Sequence, residues 1–392
     1  MHSADADPAG SSRIKQLEKY LDLDPSNINI LLDIVRISVQ TQNWDLAEKY
    51  IEFALSQFPE SSEVQAFAGI HYLRLNQLDL ATEYFSRAID NGIDNTGLKY
   101  NLAFAYYLQS NMTKSISVLE NILESEDNKR EILTLYARCM HHSEQLERGI
   151  ELLTSYNNSN PMDTEVNGLL AIMLYDNGNY DDAFKLSNQV LSHDDANLEA
   201  LVTRGGVNIE RQNYYEAFAD YKRAVSSHPS NGRAWSGLGQ LHFYNLQIED
   251  AIECLSNAVE YMPNHIGTWH VLAWAYLLSD KVDEAESAFE NSYKLDRNFA
   301  ETHGGLASVY ALKGDIEIAQ KHIKIAERLD GNGFSAVYAK LVLLNREGKQ
   351  SEANALFEQV KNSKNETLGI IPRIMIEKRL NEIQQEHSAN LN

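Results

Sequence analysis

Five of the seven prolines stand at Pro25, Pro59, Pro161, Pro229 and Pro263, and every separation among them is a multiple of 34 residues. Proline inside a helix loses a hydrogen bond and clashes with the preceding turn, so a break recurring at one spacing divides a chain into equal helical units. Units opening three residues after that phase begin at Ile28, Ser62, Thr96, Arg130, Thr164, Leu198, Gly232, Ile266, Ala300 and Phe334. A position not used to find the register tests it. The twentieth slot holds Ala47, Ala81, Ser115, Gly149, Ala183, Ala217, Ala251, Ala285, Ala319 and Ala353, all small. The eighth slot holds Gly69, Ala103, Ala137, Ala171, Gly205, Gly239, Ala273 and Ala307 in eight of the ten units. Helices whose axes approach to roughly 8–10 Å need small side chains at the crossing, so each unit is expected to be a helical hairpin.

Around these slots apolar residues recur at i, i+3, i+4 and i+7, as in Trp235, Leu238, Gly239 and His242, which is the stripe of an amphipathic helix. Asn43, Asn111, Asn179 and Asn213 share slot 16 between the two helices, with Gly314 one slot earlier, and are expected to supply turn conformations.

Small residues at slots 8 and 20, large ones at 4, 7, 11 and 24, and proline at 32 make the chain resemble the tetratricopeptide repeat. The unit from Gly232 carries the fullest set, with Trp235, Leu238, Gly239, Ala251, Leu255, Ala258 and Pro263. The unit from Thr96 departs at Ser115, Leu119 and Ile122, the unit from Arg130 at Gly149 and Tyr156, and the last at Lys340 and Leu341. The resemblance implies an all-α, right-handed superhelical solenoid of about ten 34-residue helix-turn-helix repeats, similar to free-standing bacterial arrays, with capping helices at both ends. Its expected divisions are a disordered lead over 1–12, an N-terminal capping half-repeat over 13–27, ten units over 28–367 and a C-terminal capping helix and tail over 368–392. The N-terminal cap carries Ile14, Leu17, Tyr20 and Leu21, and the C-terminal helix opens at Pro372 and carries Ile374, Met375, Leu380 and Ile383.

Charge and composition narrow the function. With 34 Lys+Arg against 56 Asp+Glu the formal net charge is −22, which disfavours nucleic acid and anionic membrane as partners. The first twelve residues lack the basic start and apolar run of a secretory signal, and no apolar stretch approaches the roughly 18 residues of a spanning helix. A cytoplasmic protein is expected. Cys139 and Cys254 stand far apart with no metal-like spacing, and Gly237 and Gly239 form only a lone Gly-x-Gly inside a helix. His141-His142, near Arg138, point about 100° apart on a helix and are poorly placed to share one ion. Neither a catalytic residue, a metal site nor a cofactor is expected. Three Asn-x-Ser/Thr sites, at Asn111, Asn157 and Asn365, read as turn composition. Glu63, Glu131, Glu165, Glu199 and Glu301 share slot 2, readable as an acidic ladder for a basic ligand or, more simply, as the first turn of a helix, where a carboxylate stabilises the dipole by roughly 0.3–1 kcal/mol.

In the resembled family the first helix of each repeat lines a concave face through slots 2, 5, 9, 12 and 13. Two neighbourhoods of large groups fall there. One is Tyr100, Phe104, Tyr107 and Leu108; the other is Phe243, Tyr244, His270, Trp274, Leu277 and Leu278. Of these, Tyr100, Phe104, Tyr107, Phe243, Tyr244, His270, Trp274 and Leu278 are the expected partner-binding residues, since tyrosine and tryptophan make strong contact anchors. The lysine and asparagine clamp by which some family members hold a C-terminal carboxylate is absent, because slots 5 and 9 hold pairs such as Tyr100 and Phe104 or Ser236 and Gln240. The expected function is a non-catalytic interaction scaffold or chaperone-like adaptor for a protein or peptide segment, basic or amphipathic, acting as a monomer. Bacterial secretion, pilus or envelope assembly is the setting the resemblance suggests. The alternative is an enzyme or small-ligand binder using His141, His142, Glu131 and Arg138 in the groove.

Overall fold

A computed structural model describes residues 8–123, 129–143, 145–330 and 333–362. These form 21 α-helices, with no strand among the described residues, in two compact units, Met1–Asn179 and Tyr180–Asn392. A leading helix, α1 (Pro8–Leu23), is followed in unit 1 by α2 (Ile28–Gln40), α3 (Trp44–Gln57), α4 (Ser62–Arg74), α5 (Leu78–Asp90), α6 (Thr96–Leu108), α7 (Met112–Glu120), α8 (Lys129–His141), α9 (Leu146–Ser159) and α10 (Thr164–Asp176). Unit 2 holds α11 (Tyr180–Leu191), α12 (Leu198–Glu210), α13 (Tyr214–Ser227), α14 (Gly232–Tyr244), α15 (Ile248–Tyr261), α16 (Ile266–Leu278), α17 (Val282–Leu295), α18 (Ala300–Lys313), α19 (Ile316–Leu329), α20 (Phe334–Arg346) and α21 (Gln350–Asn362). The first helix of each repeat starts where the proline phase places it, α8 alone one residue early.

The recurrent slots have distinct physical jobs. At the crossings, a Cβ on Gly69 would lie 2.4 Å from the Phe85 ring, and one on Gly239 would lie 2.7 Å from Leu255 Cγ. No larger residue enters without moving a core side chain. The two non-alanine occupants of slot 20 are accommodated individually. Ser115 donates its hydroxyl to the Ala103 carbonyl at 2.8 Å, and Gly149 leaves room for the Met173 methyl, which would stand 2.4 Å from a Cβ.

Slot 34 caps the next helix. Asn27, Ser61, Asn95, Asp163, Asn197, Asn231 and His265 each accept from the backbone amide three residues on, satisfying a donor that the helix itself leaves unpaired. Slot 4 closes the turn from the other side. The side chains of Gln65, Asn167, Trp235 and Trp269 donate to the carbonyls of Pro59, Pro161, Pro229 and Pro263 at 2.8, 3.0, 2.7 and 2.7 Å. His303 makes the equivalent bond to the Arg297 carbonyl at 2.9 Å.

The turn between paired helices differs from the sequence expectation. The left-handed residue is at slot 15, occupied by Gln42, Asn76, Ser110, Gln212, Leu246 and Asp280 at φ between 55° and 60°, and by Gly178, Gly314 and Gly348. Asn43 and Asn111, at slot 16, instead cap the second helix by accepting from Leu46 N and Lys114 N. Two further differences concern the ends. α1 begins at Pro8 rather than at residue 13, because proline lacks the N–H that a first helical turn leaves unpaired anyway. Ile14, Leu17 and Leu21 are buried against α2 and α3 as expected of a cap, but Tyr20 is exposed and accepts from Gln16. The expected C-terminal helix from Pro372 lies outside the described residues.

Near the end of unit 2, α20 rests mainly on α18 rather than on α19. Gly304 permits this, since a Cβ there would stand 2.4 Å from Ser335 Cβ and 2.7 Å from the Ala336 amide.

The turn geometry gives opposite signs for two substitutions. A Cβ on Gly178 would meet nothing within 4 Å, so Gly178→Ala tests the backbone alone and is expected to cost about 1 kcal/mol at its φ of 79°. Leu246→Gly relieves a leucine held at φ 58° and is expected to leave stability unchanged or raise it by up to about 1 kcal/mol. Urea denaturation followed by circular dichroism measures both, and equal destabilisation by the two would contradict this account.

Candidate partner-binding face

On α6, Tyr100, Phe104 and Tyr107 stand at i, i+4 and i+7 and therefore share one stripe of the helix. Their rings run nearly parallel. Tyr100 and Phe104 are inclined by 2° with centroids 6.4 Å apart, and Phe104 and Tyr107 by 20° at 6.4 Å. One side of the row packs on the cluster of Ile116, Leu119, Ile132, Leu135 and Tyr136, which holds the rings half-buried and orders them.

The row continues onto the next two first helices. Tyr107 lies 6.1 Å from the ring of His142, just beyond the end of α8, and His142 stacks on His141 at 5.4 Å. His141 Nε2 is 2.7 Å from Asp176 Oδ2 at the end of α10, so the carboxylate fixes the imidazole's orientation. Burial raises the phenol pKa of Tyr100, helped by the carboxylates of Glu131 and Glu165, and burial raises that of Tyr107 against the opposing charge of Arg138. Both phenols thus remain hydrogen-bond donors at neutral pH. Glu165 is held by Arg130, which also lies 3.4 Å from Asp163. The face combines apolar rings with the carboxylates of Glu131 and Glu165 near Tyr100 and with Arg138 and the imidazole of His142 near Tyr107.

The second expected neighbourhood is arranged differently. Phe243, His270 and Trp274 are only 4%, 8% and 9% exposed. Trp274 meets the ring edges of Phe289 and Tyr338, each at 5.6 Å, and His270 is enclosed by Phe289 at 5.4 Å and Phe299 at 5.2 Å. Of the exposed and buried placements the sequence left open for these three, the structure shows the buried one. α18 offers Gly304 and Ser308 toward α20, and with no bulk there Tyr338 of α20 reaches Trp274 of α16 and the large groups close over the face. Leu278 is half-buried at the edge of the same cluster. Tyr244 alone is 41% exposed, tilted against Tyr214 at 6.2 Å. The sequence places His141 and His142 at slots 12 and 13 of the unit after Tyr107, as groups of an alternative ligand site, and the structure sets them at the end of the aromatic row instead.

No group of three or more His, Cys, Asp or Glu residues among those described could hold a metal ion. Cys139 and Cys254 are buried free thiols, and burial pushes Cys254 up to about 11. No described helix is long and apolar enough to cross a membrane.

Models of the tetratricopeptide repeat match residues 32–96 and 266–299, and the model of the ChAPs, the Chs5p-Arf1p-binding proteins, matches residues 132–256. Among solved structures, a chain of the APC/C hetero-tetramer Cut9–Hcn1 is similar over 95% of this chain and 81% of its own, at 14% identity and a TM-score of 0.52, which shows the fold. YrrB, a TPR protein with an unusual peptide-binding site, is 22% identical over 48% of this chain and 97% of its own, with a TM-score of 0.40. PilF of Pseudomonas aeruginosa is 17% identical over 55% of this chain and 97% of its own, with a TM-score of 0.43.

The difference between the two neighbourhoods is measurable as stability. Trp274→Ala empties a closed aromatic contact and is expected to cost about 3–5 kcal/mol. Tyr244→Ala trims an exposed ring and is expected to cost about 1 kcal/mol or less. Denaturant midpoints of the two variants check this; a Trp274→Ala midpoint equal to the parent's would return Trp274 to the exposed surface.

Proposed function

Because the chain belongs to the tetratricopeptide-repeat family, we propose that it is a non-catalytic adaptor that holds a protein or peptide segment against the aromatic row of unit 1. One observation carries the reading. Tyr100, Phe104 and Tyr107 form three parallel rings ordered from behind by a packed core, and they run on through His142 and His141 toward α10. Rings already ordered lose little side-chain entropy on contact, which is the property of binding anchors. The match to a family described by its binding of Chs5p and Arf1p supports a protein partner.

Glu131 and Glu165 near Tyr100, on a chain of net charge −22, favour a segment that pairs apolar side chains with a basic residue. Bacterial secretion, pilus or envelope assembly is the setting suggested by resemblance; the reading rests on the face and not on that setting.

Capture of partners from native lysate tests the proposal. Tyr100→Ala with Phe104→Ala is expected to weaken capture at least tenfold for each ring that acts as an anchor worth about 2 kcal/mol. Asn179→Ala with Asn213→Ala, on turns, leaves capture unchanged. Glu131→Gln slows association and reduces its salt dependence if the partner is basic. Retention of the partner by the Tyr100/Phe104 variant and its loss from the turn variant would place binding elsewhere.

A further inference from the structure

Three imidazoles converge on the first turn of α18. His270 of α16 sets Nε2 2.9 Å from the Thr302 hydroxyl, which in turn lies 2.9 Å from the Ser292 hydroxyl of α17. The next residue, His303, sets Nε2 2.9 Å from the Arg297 carbonyl and Nδ1 2.9 Å from Nδ1 of His322 on α19. A carbonyl only accepts, so neutral His303 carries its hydrogen on Nε2 and offers a lone pair at Nδ1. His322 must then donate from its own Nδ1. The contact holds one hydrogen between two nitrogens. A first extra proton, on His322 Nε2, leaves the bond in place but puts a charge among aromatic rings; a second sets two N–H groups against each other and breaks it.

We propose that the first turn of α18 is an acid-sensitive joint, at which proton uptake by the His303–His322 pair and by His270 frees α18 from α19 and α16 and opens the inner face of unit 2.

The surroundings give added protons little compensation. The ring of Tyr310 stacks on His322 at 5.9 Å and the edge of Tyr293 meets His303 at 5.6 Å. Of the charged groups on the packed elements, Lys321 of α19 adds positive charge beside His322, and the Arg297 guanidinium lies over Tyr293. From α17, Asp283 and Glu286 are engaged by Lys313, and Glu286 and Glu290 act on Tyr310. Glu301 accepts from Ser335 of α20, and Lys340 of α20 pairs with Glu327. On α16, His270 is ringed by Phe289 and Phe299.

Burial lowers His270 to about 4; burial, with His303 and Lys321, lowers His322 to about 4. Both lie below the ordinary 6.5 that the rings regain once freed, so opening takes up protons. The stabilisation from neutral rings is therefore complete above about pH 6.5 and is withdrawn as pH falls toward 4.

Hydrogen exchange on the full chain, corrected for the intrinsic pH dependence of exchange, tests the joint at pH 7.5, 6 and 5. Protection of α18 is expected to fall about tenfold per pH unit for each histidine released below pH 6.5, while α12 and α13, which contain no histidine, change little. His303→Gln keeps a donor for the Arg297 carbonyl, as Gln65 does for Pro59, and with His322→Asn it removes the paired imidazoles. In that double variant the slope is expected to drop to the share of His270. Two results would overturn the proposal: protection in the parent that falls equally in α18 and α12–α13, or does not fall at all; and an unchanged slope in the double variant. The first comparison needs only the parent chain, so it decides even if circular dichroism at pH 7.5 shows the variant unfolded.

Discussion

The close crossing of paired helices is the constraint from which the other features follow. At Gly69 the Phe85 ring occupies the space a Cβ would take, and at Gly239 Leu255 does so. That intimacy fixes the spacing of the hairpin, and fixed spacing leaves three residues for the turn between its helices, as between Gln40 and Trp44. A turn that short needs one residue in the left-handed region. The chain accepts that at slot 15 even with Leu246 or Gln42, each at about 1–2 kcal/mol by the usual penalty for a side chain there, because the hairpin contact over-determines the turn.

The longer turn between repeats is secured by hydrogen bonds rather than by strain. A side-chain cap on one side and the slot 4 donor on the other satisfy backbone groups that helix ends leave unpaired. This explains a conservative job done by chemically different residues. Indole, carboxamide and imidazole have little in common, yet each places an N–H on the carbonyl six residues back, as Trp235, Gln65 and His303 show. In His303 the same bond fixes the tautomer, so a structural duty in one place dictates the protonation chemistry of a neighbouring histidine.

Helix starts and the crossing slots were legible in the sequence because each is set within a unit or between adjacent units. The turn was half legible. Asparagine at slot 16 marked the right place, but its work as a cap, with the left-handed residue one slot earlier, depends on backbone geometry that composition does not reveal. Burial of Trp274 was left open by the sequence, because it is decided two helices away by Gly304 and Ser308 on α18. The signal was present as two small residues, Gly304 and Ser308, at inward-facing slots 5 and 9 of the following repeat. A concave position is open only when its neighbours are large enough to keep the next helix at a distance.

That rule also accounts for the contrast between the two aromatic neighbourhoods. On α8, slots 9 and 12 beside the α6 row hold Arg138 and His141, whose polar heads seek solvent or partners such as Asp176 and resist closing over the rings, while Thr134 at slot 5 is buried and bonds back to the Glu131 carbonyl. Burying an arginine head without full pairing is costly, whereas burying a glycine costs nothing of that kind. The same amphipathic first helix therefore gives a half-exposed row where polar residues flank it and a sealed core where glycine and serine do. Unit 1 keeps its aromatic face through the polarity of the flanking repeat, and unit 2 gives up such a face for packing that ties α16, α18 and α20 together through the His270–Thr302 hydrogen bond and ring edges.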